Sequence, residues 1–125
     1  VGERESFGEK LIDHEGVQWM MGEAAMDIQI GRLLTMHAAW LLDHENFARK
    51  EISMAKVQVA DALHKAVDTA IQLCGARGYS KDTLLEWMYR YARQAKLVDG
   101  ASEVHKMVLS RFHKNERQRF WSWGV

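Results

Sequence analysis

The segment KLVDGASEVHKMV, Lys96 to Val108, sets a single carboxylate directly before a glycine, between an apolar run and a stretch of helical pattern. Two chemistries are open to Asp99. It is a good N-cap, because its side chain can accept from the free backbone N–H groups of a helix beginning at Gly100 or Ala101. It can also act as a general base, provided it is held close to a weakly acidic C–H and dry enough for its pKa to rise. Residue types alone favour the cap.

Other residues invite chemistry less strongly. RESFG (4–8) and QLCGARGY (72–79) are polar and contain glycine, and each reads alone as a loop. The second resembles a phosphate cradle only loosely, because such a glycine turn should precede a helix, whereas this one follows a helix end. His37 and His44 stand seven apart on one helix face, but no HExxH or Glu-x-x-His pair accompanies them. A metal centre needs three or four converging ligands, so none is expected. The tail RFHKNERQRFWSWGV interleaves Arg111, Lys114, Arg117 and Arg119 with Phe112, Phe120, Trp121 and Trp123. Stacking on nucleic-acid bases or lying on a membrane would use that mixture. Packing of its aromatics on the bundle or on a neighbouring subunit suits it better, since a net charge of zero gives no long-range attraction.

The elements that must position these residues are helical. Apolar residues recur at Val17, Met20/Met21, Ala24, Ile28, Leu34, Ala38 and Leu41, one stripe on a helix of about 30 residues capped by Asp13. A second stripe runs through Ile52, Ala55, Val59, Leu63, Ala66, Ala70 and Leu73/Cys74, and Gly75 stops it. A tight turn is expected at 43–46, where Asp and Asn favour reversal. A loop over 75–78 leads to a shorter helix from Asp82 or Thr83 to Ala95, with Leu85, Met88 and Ala92 inward. The last helix is expected from Asp99 to about Lys114. No strand pattern is evident. The fold class is therefore all-α: an antiparallel pair of long helices with two shorter ones, an incomplete bundle.

The totals agree. At 125 residues there is room for one domain, and with no proline the chain suits long helices better than turn-rich sheets. One cysteine excludes an internal disulfide and fits a reducing compartment. No apolar run is long enough to span a bilayer, and neither a transmembrane segment nor a nucleic-acid partner is expected. Because the chain opens with Val, it is expected to be a piece of something longer.

In order and spacing, RESFGEKLIDHEGVQ, EISMAKVQVADAL, AIQLCGARGY and LLEWMYRYARQAKLVDGASEVHKMVLSR resemble the C-terminal domain of the flavin-dependent acyl-CoA dehydrogenases over residues 4–112. Members of that family read R-x-x-F-G, Q-x-x-G-G-x-G, R-D-A and E-G-T/A-S-E. The tail, 115–125, lies outside the resemblance. The resemblance implies that Arg4, Ser6 and Phe7 reach the FAD of a neighbouring subunit, an arginine suiting its pyrophosphate. It implies that Gln72 and Gly75 meet the same flavin, and that Ala101 and Glu103 approach the subunit's own FAD. Asp99 then corresponds to the catalytic base, and the two roles are compatible: a cap at rest, a base in turnover.

This sequence departs from the family pattern at four places. Asp99 replaces the usual Glu, as in one branch that includes members fused to a phosphotransferase-like domain. Ala76 stands for the second loop glycine, Tyr91 for the Asp of R-D-A, and Glu9 for a common Lys or Arg. The resemblance further implies an acyl-CoA substrate, an acceptor like electron-transfer flavoprotein, a homo-oligomer (dimer or tetramer), and a bacterial cytoplasmic or mitochondrial matrix location. It also implies a preceding bundle helix, a β-domain and an N-terminal helical domain, without which the 125 residues should be inactive. The other reading is a non-catalytic helical oligomerisation module derived from the same family.

Overall fold

The computed structural model describes residues 1–116. In chain order the elements are a hairpin of β1 (Glu5–Ser6) and β2 (Glu9–Lys10), a 3₁₀ turn (Leu11–Asp13), α1 (Glu15–Glu45), α2 (Arg49–Cys74), α3 (Ala76–Tyr79), α4 (Leu85–Ala95) and α5 (Ser102–Glu116). The all-α expectation holds apart from the hairpin. Two-residue strands are too short to show alternation, so the sequence pattern could not reveal them. Glu5 pairs with Lys10 and Ser6 with Glu9, leaving Phe7 and Gly8 as a two-residue turn with φ of 51° and 90°. Positive φ at both central residues is what a type I′ hairpin requires, although Asn-Gly is the usual way to supply it.

Asp13 does not cap α1. It ends the 3₁₀ turn, and His14 takes the cap position without a capping side-chain bond. The reversal after α1 comes at Asn46, the last residue of the expected 43–46 turn, with φ 55°, a left-handed conformation that asparagine tolerates better than most residues. The expected loop at 75–78 is instead the single turn of α3.

α2 is the central helix. α1 packs along it, and α3, α4 and α5 also pack on it. The contacts use small residues: Ala38 on α1, Ala55, Ala60, Ala62 and Val67 on α2, and Ala92 on α4 are buried. Gly31 lets α1 approach closely enough that a methyl there would stand 3.0 Å from Val59 Cγ2. Larger members of both stripes lie outside this seam. Ile28, Ile52 and Val59 are each more than 40% exposed, and Met88 on α4 is also exposed. The stripes are wider than the neighbours that cover them.

Charged side chains fasten the helices at intervals. Lys65 on α2 reaches Asp27 at 3.0 Å and Glu23 at 3.1 Å on α1. Hydrogen bonds to Asp27 first, then Glu23, hold the Lys65 pKa above its ordinary value. Lys96 pairs with Asp61 at 2.7 Å, and Lys56 Nζ donates to the Ala95 carbonyl at the end of α4.

Candidate active site

The chain between α4 and α5 is where Asp99 sits. α5 begins at Ser102, and the Ala101 carbonyl accepts from the Val104 and His105 N–H groups, so Ala101 holds the cap position. The expected cap at Asp99 is therefore wrong. Asp99 and Gly100 form a turn of their own, with φ of 55° and 92°, closed by the Ser102 N–H donating to the Lys96 carbonyl at 3.1 Å. That turn spends the residues a cap would have used. Asp99 is exposed, and among the described residues its carboxylate has no hydrogen-bond or ion-pair partner. Its chemistry is uncommitted.

His105 fixes the turn. Its Nε2 lies 3.3 Å from the Asp99 carbonyl, and its Nδ1 lies 3.2 Å from Oγ of Ser53, a buried residue of α2. A methyl on Gly100 would come within 2.8 Å of His105 Nε2, so only glycine lets the ring lie against this turn. Neither His105 nor Ser53 was singled out by sequence reasoning. His105 stands six residues beyond Asp99, on the first turn of α5, which is a usable signal; nothing in the sequence pairs it with Ser53.

Beside the turn runs an apolar groove of about 610 Å³ between α1, α2 and α4, bordered by Ala38, Leu42, Ile52, Val59, Tyr91 and Asp99. Ile52 and Val59, two of the partly exposed stripe residues, thus have a place: they wall a groove that has the carboxylate on its border. Tyr91, at the altered R-D-A position, stacks on Trp87 with centroids 5.5 Å apart. Ala101 is half-buried and Glu103 exposed on the first turn of α5, close to Asp99 along the chain.

The remaining candidates gather elsewhere. Gly75 ends α2 with φ 61° and ψ −144°, a conformation essentially restricted to glycine. A methyl there would stand 3.4 Å from Arg4 Nη1, so the guanidinium of the N-terminal segment lies against the end of α2. Arg4 has no ion pair among the described residues. Gln72 is exposed in the last turn of α2. Phe7 is fully exposed at the hairpin tip, and Ser6 and Glu9 are tied down by His14: Nε2 is 3.0 Å from both Ser6 Oγ and Ser6 O, and Nδ1 is 2.8 Å from Glu9. Glu9 thus has a local partner where the family pattern has a cation. Ala76 needs no glycine, since it opens α3 without a positive φ.

The structure therefore brings Arg4, Ser6, Phe7, Gln72 and Gly75 to one end of α2, and Asp99, Ala101 and Glu103 to the other. Ser53 to Gly75 is roughly 30 Å along the helix at ~1.5 Å per residue. A single copy does not place both groups on one reacting centre. Among the described residues no three metal-ligating side chains converge. His37 and His44 are exposed, and His44 stacks on Trp40 and bonds its carbonyl. The tail whose aromatics are expected to pack on the bundle or a neighbour falls largely on 117–125, outside the described residues. No helix of the described residues is long and apolar enough to cross a membrane.

Comparison with known proteins gives the family. The family model for the acyl-CoA dehydrogenase C-terminal domain matches residues 1–113. Acyl-CoA dehydrogenase family member 11 of Gallus gallus is 41% identical over 114 residues, covering 90% of this chain and 15% of that protein. The NADH-dependent acryloyl-CoA reductase of Anaerotignum propionicum is 35% identical over 111 residues, covering 89% of this chain and 28% of that protein. The solved glutaryl-coenzyme A dehydrogenase in complex with glutaryl-CoA superposes with a TM-score of 0.86 at 28% identity, covering 94% of this chain and 30% of that one. The chain thus spans less than a third of each of these relatives. It belongs to the acyl-CoA dehydrogenase family and carries that family's C-terminal helical domain.

Proposed function

We propose that this domain supplies the base, and part of a shared FAD site, to an acyl-CoA dehydrogenase. The observation that carries the reading is a carboxylate unpartnered among the described residues, Asp99, fastened through its own backbone on the border of an apolar groove. An Asp99 oxygen takes the α-proton of an acyl-CoA thioester, and the electron pair of that C–H bond forms the α,β double bond. A bound FAD would supply the two-electron acceptor for the β-hydrogen, which would leave as hydride, so that the two-electron oxidation of the thioester is balanced by reduction of the cofactor. In the reverse direction, that of the acryloyl-CoA reductase relative, the same carboxyl returns the proton. Asp99 is exposed here, so the dry surroundings the reaction needs come from outside the described residues.

The residues at the far end of α2 fit a dinucleotide by type. Arg4 offers for pyrophosphate a guanidinium with no ion pair among the described residues, lying against the glycine that ends α2, with Phe7 exposed at the hairpin tip and Gln72 exposed in the last turn of α2. The roughly 30 Å along α2 from Ser53, beside the Asp99 turn, to Gly75, beside Arg4, supports a flavin shared between two copies, one giving Asp99, Ala101 and Glu103 and the other giving Arg4, Ser6, Phe7, Gln72 and Gly75. An electron-transfer flavoprotein-like acceptor completes the turnover.

Asp99→Asn in the full-length protein tests the reading. FAD should stay bound while bleaching of the flavin by an acyl-CoA disappears. Bleaching at the wild-type rate would move the base to another residue, whereas a wild-type protein that binds FAD and is not bleached would leave the oligomerisation-module reading in its place. Trp19, Met26, Leu33 and Trp40 recur every seven residues on α1 and are each more than half exposed, a stripe suited to a second copy. Light scattering of the 125-residue chain at micromolar concentration should show a dimer or larger. A cooperatively melting monomer would count against the shared site.

A further inference from the structure

We propose that His105 is a positioning residue for Asp99, aiming the carboxylate through the backbone without touching it. This rests on Asp99 being the base.

The observations are geometric. Asp99 occupies a left-handed conformation that L-residues adopt reluctantly, and Gly100 continues it with φ 92°. Such a turn opens easily unless something outside it holds it shut. Two bonds do so here. The Ser102 N–H to the Lys96 carbonyl closes the base of the loop, and His105 Nε2 to the Asp99 carbonyl grips its apex. The second acts directly on the residue whose side chain matters. Fixing the Asp99 carbonyl fixes its ψ and thereby restricts the directions open to the carboxylate.

The protons follow from the partners. A carbonyl oxygen can only accept, so Nε2 carries hydrogen and donates to Asp99. In the neutral ring Nδ1 then accepts, and the Ser53 hydroxyl is its donor at 3.2 Å. Ser53 is 3% exposed on the central helix, so the ring is anchored to a buried point of the bundle. Gly100 completes the device, because any side chain there would displace the ring. The chain Ser53, His105, Asp99 thus transmits the rigidity of α2 to an exposed carboxylate. A base misplaced by ~1 Å can lose on the order of a hundredfold in rate, which sets the value of such a tether.

Two isosteric replacements separate positioning from bulk. The amide nitrogen of His105→Gln sits near the place of Nε2 and can still donate to the Asp99 carbonyl. That of His105→Asn sits near the place of Nδ1 and cannot reach it. Each full-length, FAD-loaded variant is mixed with butanoyl-, octanoyl- and hexadecanoyl-CoA, keeping the thioester that reduces the wild type fastest. The rate of flavin reduction at saturation and the half-saturating concentration are then read separately. His105→Asn should lower the saturating rate by roughly ten- to a hundredfold with half-saturation within about threefold, and His105→Gln should recover most of it. Ser53→Ala should give a smaller loss, and adding it to His105→Asn should not deepen the loss that His105→Asn causes alone. Equal rates in wild type and His105→Asn, with Asp99→Asn inactive, would overturn the tether alone. Reduction by Asp99→Asn at the wild-type rate would overturn the base reading and the tether with it. Equal losses in the Gln and Asn variants would show His105 to be packing only.

Discussion

Two turns in this domain share a backbone and differ in what they present. At 7–8 and at 99–100 a non-glycine residue with φ near 50° is followed by a glycine with φ near 90°. In each a histidine holds the residues that form the turn: His14 bonds Ser6 and Glu9 beside the first, His105 bonds Asp99 in the second. The first carries a fully exposed phenyl ring on a hairpin whose contacts are mostly its own. The second carries a carboxylate and is anchored to buried Ser53 on the central helix. A side chain that only needs to dock can ride on a local hairpin, since its partner completes its position. A side chain that must meet one particular hydrogen needs its frame fixed beforehand. The difference in anchoring matches the difference in proposed task.

The sharpest way to break the comparison is to exchange the consequences of losing each end. Asp99→Asn should lower the rate of flavin reduction by roughly 10²–10⁴-fold, the usual yield of general-base catalysis, with FAD affinity unchanged. Arg4→Ala should do the opposite. Losing a charge-assisted contact to phosphate costs about 1.5–3 kcal/mol, or on the order of ten- to a hundredfold in FAD affinity, while enzyme loaded with excess FAD still bleaches. FAD titration and stopped-flow reduction of both variants check this. If Asp99→Asn loses FAD, or if Arg4→Ala binds it normally, the division between a chemical end and a docking end fails.

How far these two ends could be read from sequence differs for a physical reason. The long helices are written in repeated apolar positions, and both stripes correspond to α1 and α2. Gly75 ends α2 as expected, because a helix stop of that kind depends on one residue type. The turns depend on neighbours instead. Asp99 looked like a cap because capping is what aspartate does before a helix, yet the tether from His105 and the Lys96–Ser102 closure draw it into a left-handed turn. Phe7 gave no hairpin signal, since phenylalanine is a poor type I′ residue and His14, which steadies the strands beside it, lies beyond them. The residues named for the FAD and the base came from resemblance. Their division between two ends of α2 became visible only when the helix had a length and Arg4 lay against Gly75.

The smallest expected effect is also the most direct probe of anchoring. Gly8 and Gly100 have nearly the same φ, so replacing either with alanine incurs a similar backbone strain of about 1–2 kcal/mol. The surroundings differ. A methyl at Gly8 meets nothing within 4 Å, whereas one at Gly100 would lie 2.8 Å from His105 Nε2. The ring can swing away, but only by giving up its bonds to Asp99 and Ser53, a further loss of about 1–2 kcal/mol. Hydrogen exchange in the full-length protein reads both sites locally through the Leu11 amide, bonded to the Arg4 carbonyl, and the Ser102 amide, bonded to the Lys96 carbonyl. Gly8→Ala should speed exchange at Leu11 by roughly five- to thirtyfold, and Gly100→Ala should speed it at Ser102 by about tenfold more than that. Equal acceleration at the two amides would mean that the His105 tether contributes nothing to holding the Asp99 turn, and the two turns would then be equivalent in their anchoring.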